Sequence, residues 1–255
     1  MSAGELRGEP ELVGRITTAS NATFLATIDG VAVVYKPVAG ERPLWDFPDG
    51  TLAAREVAAY AVSETLGWDL VPPTWLGEGP FGPGMLQRWQ EPDDAAGSAV
   101  ALVPADAIPE HGWCHVLDGV DEQGAPVALL HEDSPAMRRL ALLDVVTNNA
   151  DRKGGHVLES ADGHRRGVDH GLTFHTEPHL RTILWGWVGE PLTDDEVAGV
   201  ARVREALDGA LGERLRTLLA DDEVDACVRR CDRLLAEQRF PGPEGEMPAI
   251  PWPPI

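Results

Sequence analysis

The chain has 255 residues, of which 43% are hydrophobic and 25% are charged, so it can bury a substantial core in one domain or in two lobes around a cleft. Its net charge of −21 opposes non-specific binding to nucleic acid or to an anionic membrane surface. The sequence has no signal-peptide pattern and no apolar run long enough to span a bilayer, so we expect a cytoplasmic protein.

Residues 1–90 show strand patterns on both sides of one helix pattern. The dipeptide Asp29–Gly30 favours a tight turn between two strands, and Gly67 is typical of the residue that follows a helix. The predicted elements, in chain order, are strands at 15–18, 23–28 and 31–36, a helix at about 51–66, and strands at 72–76 and 85–89.

The rest of the chain is predicted to be mainly helical. Residues 91–97 are acidic and contain glycine, which is typical of a linker, and residues 240–255 are proline-rich and should be extended, packing along the surface or meeting a partner. Pro178 disfavours a helix that would place His175 and His179 on one face, so we expect both at the surface or in a substrate loop. Helices are predicted near 102–108, from 134 to about 148, from a capping box at 193, over 211–219, and from 221 to about 238.

The most informative stretch is a pair of motifs that follows the helix predicted to end near residue 148. Short strand patterns flank Asp162–Gly163 and predict a β-hairpin with a two-residue turn. In that register His156 and Asp169 face each other at the open end of the hairpin, beside Asp151. Phosphoryl transfer needs a carboxylate to hold the acceptor hydroxyl and a cation to bridge the phosphates. The same residues could instead only cap and turn the chain, and both interpretations stay open at this point.

The sequence Asp-Arg-Lys-Gly-Gly-His at 151–156, followed by Asp-His-Gly at 169–171, resembles the catalytic and metal-binding loops of the phosphatidylinositol 3- and 4-kinase-like superfamily. Those loops usually read Asp-Arg-His-x-x-Asn and Asp-Phe-Gly. The chain as a whole resembles a small actinobacterial branch of that superfamily.

The resemblance implies an α+β, two-lobed, protein-kinase-like fold. Its parts would be a small β-rich N-lobe at 1–90, a hinge at 91–97, a mainly helical C-lobe at 98–239 and a tail at 240–255. It also implies an atypical kinase that uses ATP and a divalent metal, Mg²⁺ or Mn²⁺.

The resemblance implies nucleotide-binding roles for residues of the first ninety positions. Lys36 matches the strand lysine that holds the phosphates, and Glu56 would be its helix partner. Lys36 could instead extend into solvent, and Glu56 could pair with Arg55. Residues 85–90 would lead into the hinge and contact adenine, although a core strand fits them equally well. The implied nucleotide-binding residues are Lys36, Glu56, Ser20, Asn21, Met85, Gln87 and Trp89.

The two loops would carry the catalytic and metal-binding residues. Asp151 would orient the acceptor hydroxyl and take its proton, and Lys153 would neutralise charge on the transferring group. Asp169 would bind the metal. His156 replaces the usual Asn, and imidazole suits Mn²⁺ or Zn²⁺ better than Mg²⁺. Asn149 or the asparagine before it could supply the missing oxygen ligand, or both could simply end the helix.

Two alternatives to a kinase remain open from the sequence. The enzyme could transfer a nucleotidyl (AMP) group on the same fold, or the chain could be a nucleotide-binding pseudokinase or scaffold, which the His156 substitution favours. The acceptor could be a protein, a small molecule or a lipid headgroup, because a fold does not determine a substrate.

Overall fold

A computed structural model shows a mixed α/β chain with two parts, which we call the sheet lobe (residues 6–91) and the helical part (residues 97–255). The structure describes residues 6–16, 21–42, 44–47, 51–91, 93, 97–160, 162–245 and 247–255. Within these ranges, no helix is both long and apolar enough to cross a membrane.

The sheet lobe is a five-stranded antiparallel sheet with the strand order β1-β2-β3-β5-β4. Asp29 and Gly30 form the turn between β2 and β3, and both have a positive φ (50° and 79°), as a two-residue hairpin turn requires. The first strand begins at residue 11 rather than at 15, and residues 17–18 of that prediction lie outside the described ranges. The strands are β1 (Glu11–Arg15), β2 (Phe24–Ile28), β3 (Val31–Pro37), β4 (Thr74–Gly79) and β5 (Gly82–Arg88).

Helix α1 (Leu52–Leu66) packs between this sheet and the helical part. It ends at Gly67, whose φ of 76° and two backbone hydrogen bonds give the predicted C-terminal stop. Most of its residues are buried, including Glu56 with 1% of its surface exposed. A carboxylate in this position needs a partner, since an isolated buried charge is costly.

The helical part contains helices α2 (Pro135–Thr147), α3 (Asp194–Leu207), α4 (Ala210–Arg216) and α5 (Asp221–Glu237). The predicted caps are confirmed, because the Ser134 side chain accepts a hydrogen bond from the Met137 amide, and Thr193 and Glu196 form a capping box. The main hydrophobic core lies among α1, α2, α3 and α5.

The helix predicted near 102–108 is wrong, and the helical part carries more sheet than expected. Residues 100–104 form a strand of a three-stranded sheet with the order β6-β8-β7. Leu102 points outward on this strand with 49% of its surface exposed, so the sequence lacks the usual alternation of buried apolar and exposed polar residues. The strands are β6 (Val100–Pro104), β7 (Trp113–Val120) and β8 (Pro126–Glu132).

The predicted hairpin is present as β9 (Val157–Glu159) and β10 (Arg165–Gly167), but its register differs by one residue. The Gly163 amide donates to the Ser160 carbonyl and the Ser160 amide donates to the His164 carbonyl, so the loop has three residues instead of two. His156 therefore faces Val168, whose amide donates to the His156 carbonyl at 3.0 Å. The predicted direct pairing of His156 with Asp169 across the ladder is wrong.

Candidate active site

Three charged side chains that are far apart in the sequence meet at the end of β3. The Lys36 Nζ atom lies 2.6 Å from Glu56 Oε1 and 2.6 Å from Asp169 Oδ1. Strand β3 supplies the lysine, α1 supplies the glutamate, and the segment after β10 supplies the aspartate. The alternative partner of Glu56, Arg55, instead pairs with Glu223 at 2.5 Å. The structure thus brings together the predicted lysine, glutamate and metal-binding aspartate.

The charges of this triad depend on one another. Burial disfavours the charged form of Lys36, but Asp169 and Glu56 outweigh burial and hold the pKa of Lys36 above its usual value. Lys36 in turn holds the pKa of Asp169 well below its usual range. One ammonium group therefore faces two carboxyl groups, and the Asp169 side chain stays 50% exposed. This arrangement leaves negative charge at Asp169 that a further cation could neutralise.

Glu56 also fixes the backbone of the Asp169 segment. Its second oxygen, Oε2, accepts a hydrogen bond from the His170 amide at 2.8 Å. Asp169 has a φ of 60°, a conformation that Asp adopts more readily than most residues. This turn of the chain brings the Asp169 carboxylate to 3.4 Å from His156 Nε2, although the two residues are not paired across the hairpin.

A buried ion pair supports the loop at 151–156 and the segment at 168–170. Arg152 and Asp144 are each fully buried, and the Arg152 guanidinium donates to both carboxylate oxygens of Asp144 at 2.8–3.2 Å. Arg152 also donates to the carbonyls of His156 and Val168 and to the His170 Nε2 atom. One guanidinium therefore connects α2, the loop at 151–156 and the segment at 168–170.

Asn148 and Asn149 form hydrogen bonds that stabilise the local backbone. Asn148 ends α2 with a φ of 54° and bonds the backbone of residues 175–179. Asn149 is buried, donates to Asp144 and accepts the Asp151 amide at 3.0 Å. Its amide group is already engaged at both ends, so its position does not support the predicted role as a metal ligand. It positions the Asp151 backbone instead.

Asp151 and Lys153 stand together at the edge of the cleft. Their side chains form an ion pair, with Lys153 Nζ 3.0 Å from Asp151 Oδ2, and both keep about a quarter of their surface exposed (22% and 24%). Both residues line one cavity together with Lys36 and Asp169. The two predicted catalytic residues are thus in the same space as the predicted phosphate-binding and metal-binding residues.

His156 has the properties of a metal ligand rather than of a charged group. Burial lowers the pKa of His156, so its ring is neutral near pH 7. In the described ranges, its Nδ1 atom is buried without a hydrogen-bond partner, while Nε2 faces Asp169. The same ranges contain no cluster of three or more His, Cys, Asp or Glu residues that could hold a metal unaided. A cation held by His156 and Asp169 would therefore need further ligands from another molecule.

The cavity beside these residues has a volume of about 550 Å³, which is in the range of small-molecule sites. Its lining combines apolar residues with the charged residues described above, and the apolar ones include Val34, Leu158 and Val168. A cavity with both apolar and charged lining residues suits a ligand that carries an aromatic base and phosphates.

Only some of the residues predicted to bind nucleotide line the cavity. Asn21, Gln87 and Trp89 line the cavity, although the Gln87 amide already donates to a threonine hydroxyl. Met85 is fully buried in β5 and is not part of the cavity lining, so its position does not support contact with adenine. Ser20 lies outside the described residues.

A second cavity, of about 350 Å³, adjoins the first and shares Lys36, Asp151 and Asp169 with it. The segment at 41–47 borders this cavity with Leu44, and it is anchored to the helical part.

The anchor is a buried aspartate. Asp46 contacts His179 Nε2 at 3.0 Å and Arg181 at 3.4 Å. Of the two positions expected for these histidines, the surface position is wrong for His179, which is 6% exposed and stacks on His175, and a place in a substrate loop stays a prediction. No local pattern predicts the contact of His179 with Asp46, because the two residues are 133 positions apart.

These observations define a mixed α/β protein with a sheet lobe, a helical part and a charged site between them. The chain belongs to the same family as Protein Rv2133c of Mycobacterium tuberculosis. The two sequences are 50% identical over 257 residues, which cover 96% of this chain and 92% of the mycobacterial protein.

Two further comparisons do not assign a family model or a fold to the chain. No protein-family model matches the sequence. The crystal structure of a Helicobacter pylori proinflammatory kinase, CtkA, superposes with a TM-score of 0.44 and 12% sequence identity, covering 90% of this chain and 97% of that chain. This score is too low to assign the fold. Membership of the phosphatidylinositol kinase-like superfamily therefore stays a prediction.

We expect Arg152→Met to lower the free energy of unfolding by about 3–5 kcal/mol, because it leaves the buried Asp144 carboxylate without its cation. Urea denaturation measures this loss. The matched control is Arg139→Met, which removes a partly exposed pair with Asp195 and should cost about 1 kcal/mol or less. Equal losses in the two variants would contradict the supporting role of Arg152.

The buried His170 should make the folded protein less stable in acid. Burial is the main cause that lowers the pKa of His170 well below 6.5, and the charge of Arg152 is the next. As the pH falls below 6.5, His170 therefore binds a proton in the unfolded chain before it does so in the folded chain. The free energy of unfolding should therefore fall as the pH drops below about 6.5. His170→Gln should reduce this slope by up to about 1.4 kcal/mol per pH unit.

Urea denaturation at pH 7 and pH 5.5 measures the difference between the two proteins. His115→Gln is the control, because that side chain is 43% exposed and bonds only Asp118 among the described residues. Identical pH slopes for wild type and His170→Gln would show that His170 is not the group that resists protonation.

Proposed function

We propose that the protein is an ATP-dependent phosphotransferase in which the sheet lobe and the helical part act as the two lobes of a kinase-like fold. The observation that carries this proposal is the meeting of Lys36, Glu56 and Asp169 at a cavity that also contains Asp151. Phosphoryl transfer depends mainly on positioning and on the neutralisation of phosphate charge. These four residues are the types that such a reaction needs.

Lys36 would bind the phosphates. Its ammonium group is held by Glu56, whose own position is fixed by α1 and by the His170 amide. Triphosphate oxygens would compete with Asp169 for this ammonium group, and their binding would free the Asp169 carboxylate. Asp169 and His156 would then hold the divalent cation, which supplies charge neutralisation to the phosphates when bound.

Asp151 would orient the acceptor hydroxyl and accept its proton. Its backbone is fixed by Asn149, and its side chain by Lys153. The Lys153 ammonium group lies on the same cavity and would offset charge on the transferred group. An acceptor in the adjoining 350 Å³ cavity would approach the phosphates beside Asp151, because Asp151 and Lys36 border both spaces.

The presence of His156 favours one alternative, a nucleotide-binding protein without transferase activity. Kinase-like sites usually place an oxygen ligand there, and imidazole is a poorer ligand for Mg²⁺. Transfer of AMP instead of phosphate would use the same residues, and mass spectrometry of the modified acceptor separates the two by the added mass.

We expect ATP together with Mn²⁺ or Mg²⁺ to raise the melting temperature more than either alone, because Asp169 would hold a cation that also neutralises the phosphates. Asp169→Asn should abolish this joint effect. Asp151→Asn should retain it and lower turnover by about 10²–10⁴-fold. Asp118→Asn is the control, since that carboxylate is 75% exposed and does not border the cavity. Full turnover in Asp151→Asn would rule out its role as the base.

The metal preference supplies a separate test. With His156 as a ligand, activity with Mn²⁺ should exceed activity with Mg²⁺, and His156→Asn should shift the ratio toward Mg²⁺ by about tenfold or more. Phosphate transfer is measured with each metal at saturating ATP. Nucleotide binding without transfer in wild type and in His156→Asn, with either metal, would favour the inactive alternative.

A further inference from the structure

Residues 247–255 of the helical part reach the cavity of about 550 Å³ that contains Lys36 and Asp169. Ala249 anchors this segment, because its carbonyl accepts hydrogen bonds from the Thr182 amide at 3.1 Å and from the Trp185 indole at 2.9 Å. Further along, the Pro254 carbonyl accepts the Gly154 amide at 2.8 Å. Gly154 follows Lys153 directly, so the segment is bonded to the loop that carries the predicted catalytic residues.

The last residues of this segment border the same cavity as the charged site. Pro253 and Ile255 line it together with Lys36 and Asp169. A Cβ atom at Gly154 would lie 3.5 Å from the Ile255 side chain, an ordinary contact distance, so Gly154 and Ile255 are direct neighbours. The sequence predicted an extended tail but did not indicate that it reaches the site.

The segment leaves room for a ligand. The cavity measures about 550 Å³ with Pro253 and Ile255 in place, a volume that suits a small molecule. Ile255 borders this cavity and is 53% exposed. A planar base or a sugar that fills the cavity would cover this apolar surface, and its burial would favour binding.

We propose that Pro253 and Ile255 form a wall of the nucleotide site and pack against the base or sugar of the bound nucleotide. The inference rests on the proposed function, because it assumes that the 550 Å³ cavity is the nucleotide site. The segment acts as a fixed part of the pocket, held at Ala249 and Pro254, and the nucleotide contacts its apolar side chains.

The test is the affinity for a non-hydrolysable ATP analogue with Mn²⁺, measured by calorimetry. Removal of residues 253–255 should raise Kd by about tenfold, and Ile255→Asp should do the same by placing a carboxylate in the cavity. Trp252→Ala is the control, because Trp252 is 86% exposed and does not border the cavity. It should leave Kd within about twofold of wild type. Hydrogen exchange at residues 151–156 should rise after the removal, which deletes the Pro254 carbonyl, but not in Ile255→Asp.

The outcomes separate this inference from the proposed function. If wild type binds the analogue and both variants bind it equally well, the wall is disproved and the proposed function is untouched. If either variant binds more tightly, the segment obstructs the site, which also overturns the inference. If wild type does not bind the analogue, the proposed function fails, and the inference fails with it.

Discussion

The buried ion pair between Arg152 and Asp144 is the interaction on which the rest of the site depends. Both side chains are fully buried, and moving two charges out of water is costly unless their remaining hydrogen-bonding groups are satisfied. Arg152 meets this condition because it also donates to two backbone carbonyls and to His170. Asp144 meets it by accepting from Asn149 and Thr182 as well. The pair therefore stabilises a particular arrangement of the loops around Asp151 and Asp169, rather than simply adding stability.

Local signals in the sequence predicted much of the fold, and non-local contacts account for what it missed. A helix that stops at Gly67 and a turn at Asp29–Gly30 depend on residues a few positions apart, and the structure has both. The hairpin register was missed by one residue because the turn at Gly163 adds a third loop residue, a choice that composition leaves open. Asn149 has a suitable ligand oxygen, but only the structure shows that this oxygen already accepts a hydrogen bond from the Asp151 amide. The approach of Ile255 to the cavity depends on folding across the whole chain.

The charge distribution does not by itself favour the binding of a triphosphate. The net charge of −21 gives a negative overall field, which opposes the approach of a polyanion. Lys36 and Lys153 place two ammonium groups on the cavity, yet each is paired with a carboxylate, Asp169 or Asp151. The lysines alone therefore offer little free positive charge. Under the proposed function, nucleotide binding would therefore depend strongly on a divalent cation that reduces the charge of the triphosphate.

The contacts between the sheet lobe and the helical part limit how far the cleft would open when Lys36 exchanges Asp169 for phosphate oxygens. Glu56 bonds the His170 amide, Arg55 bonds Glu223, and Asp46 bonds His179. Further hydrogen bonds join Arg166 to Asp69 and Arg202 to the Leu66 carbonyl, so the Lys36–Asp169 pair is one of several contacts between the two parts. Under the proposed function, phosphates that draw Lys36 away from Asp169 would break that pair, and the other contacts would hold the lobes in place. Under the proposed function, the cleft would therefore accept a nucleotide without separating, and Asp169 would exchange Lys36 for a cation that accompanies the phosphates.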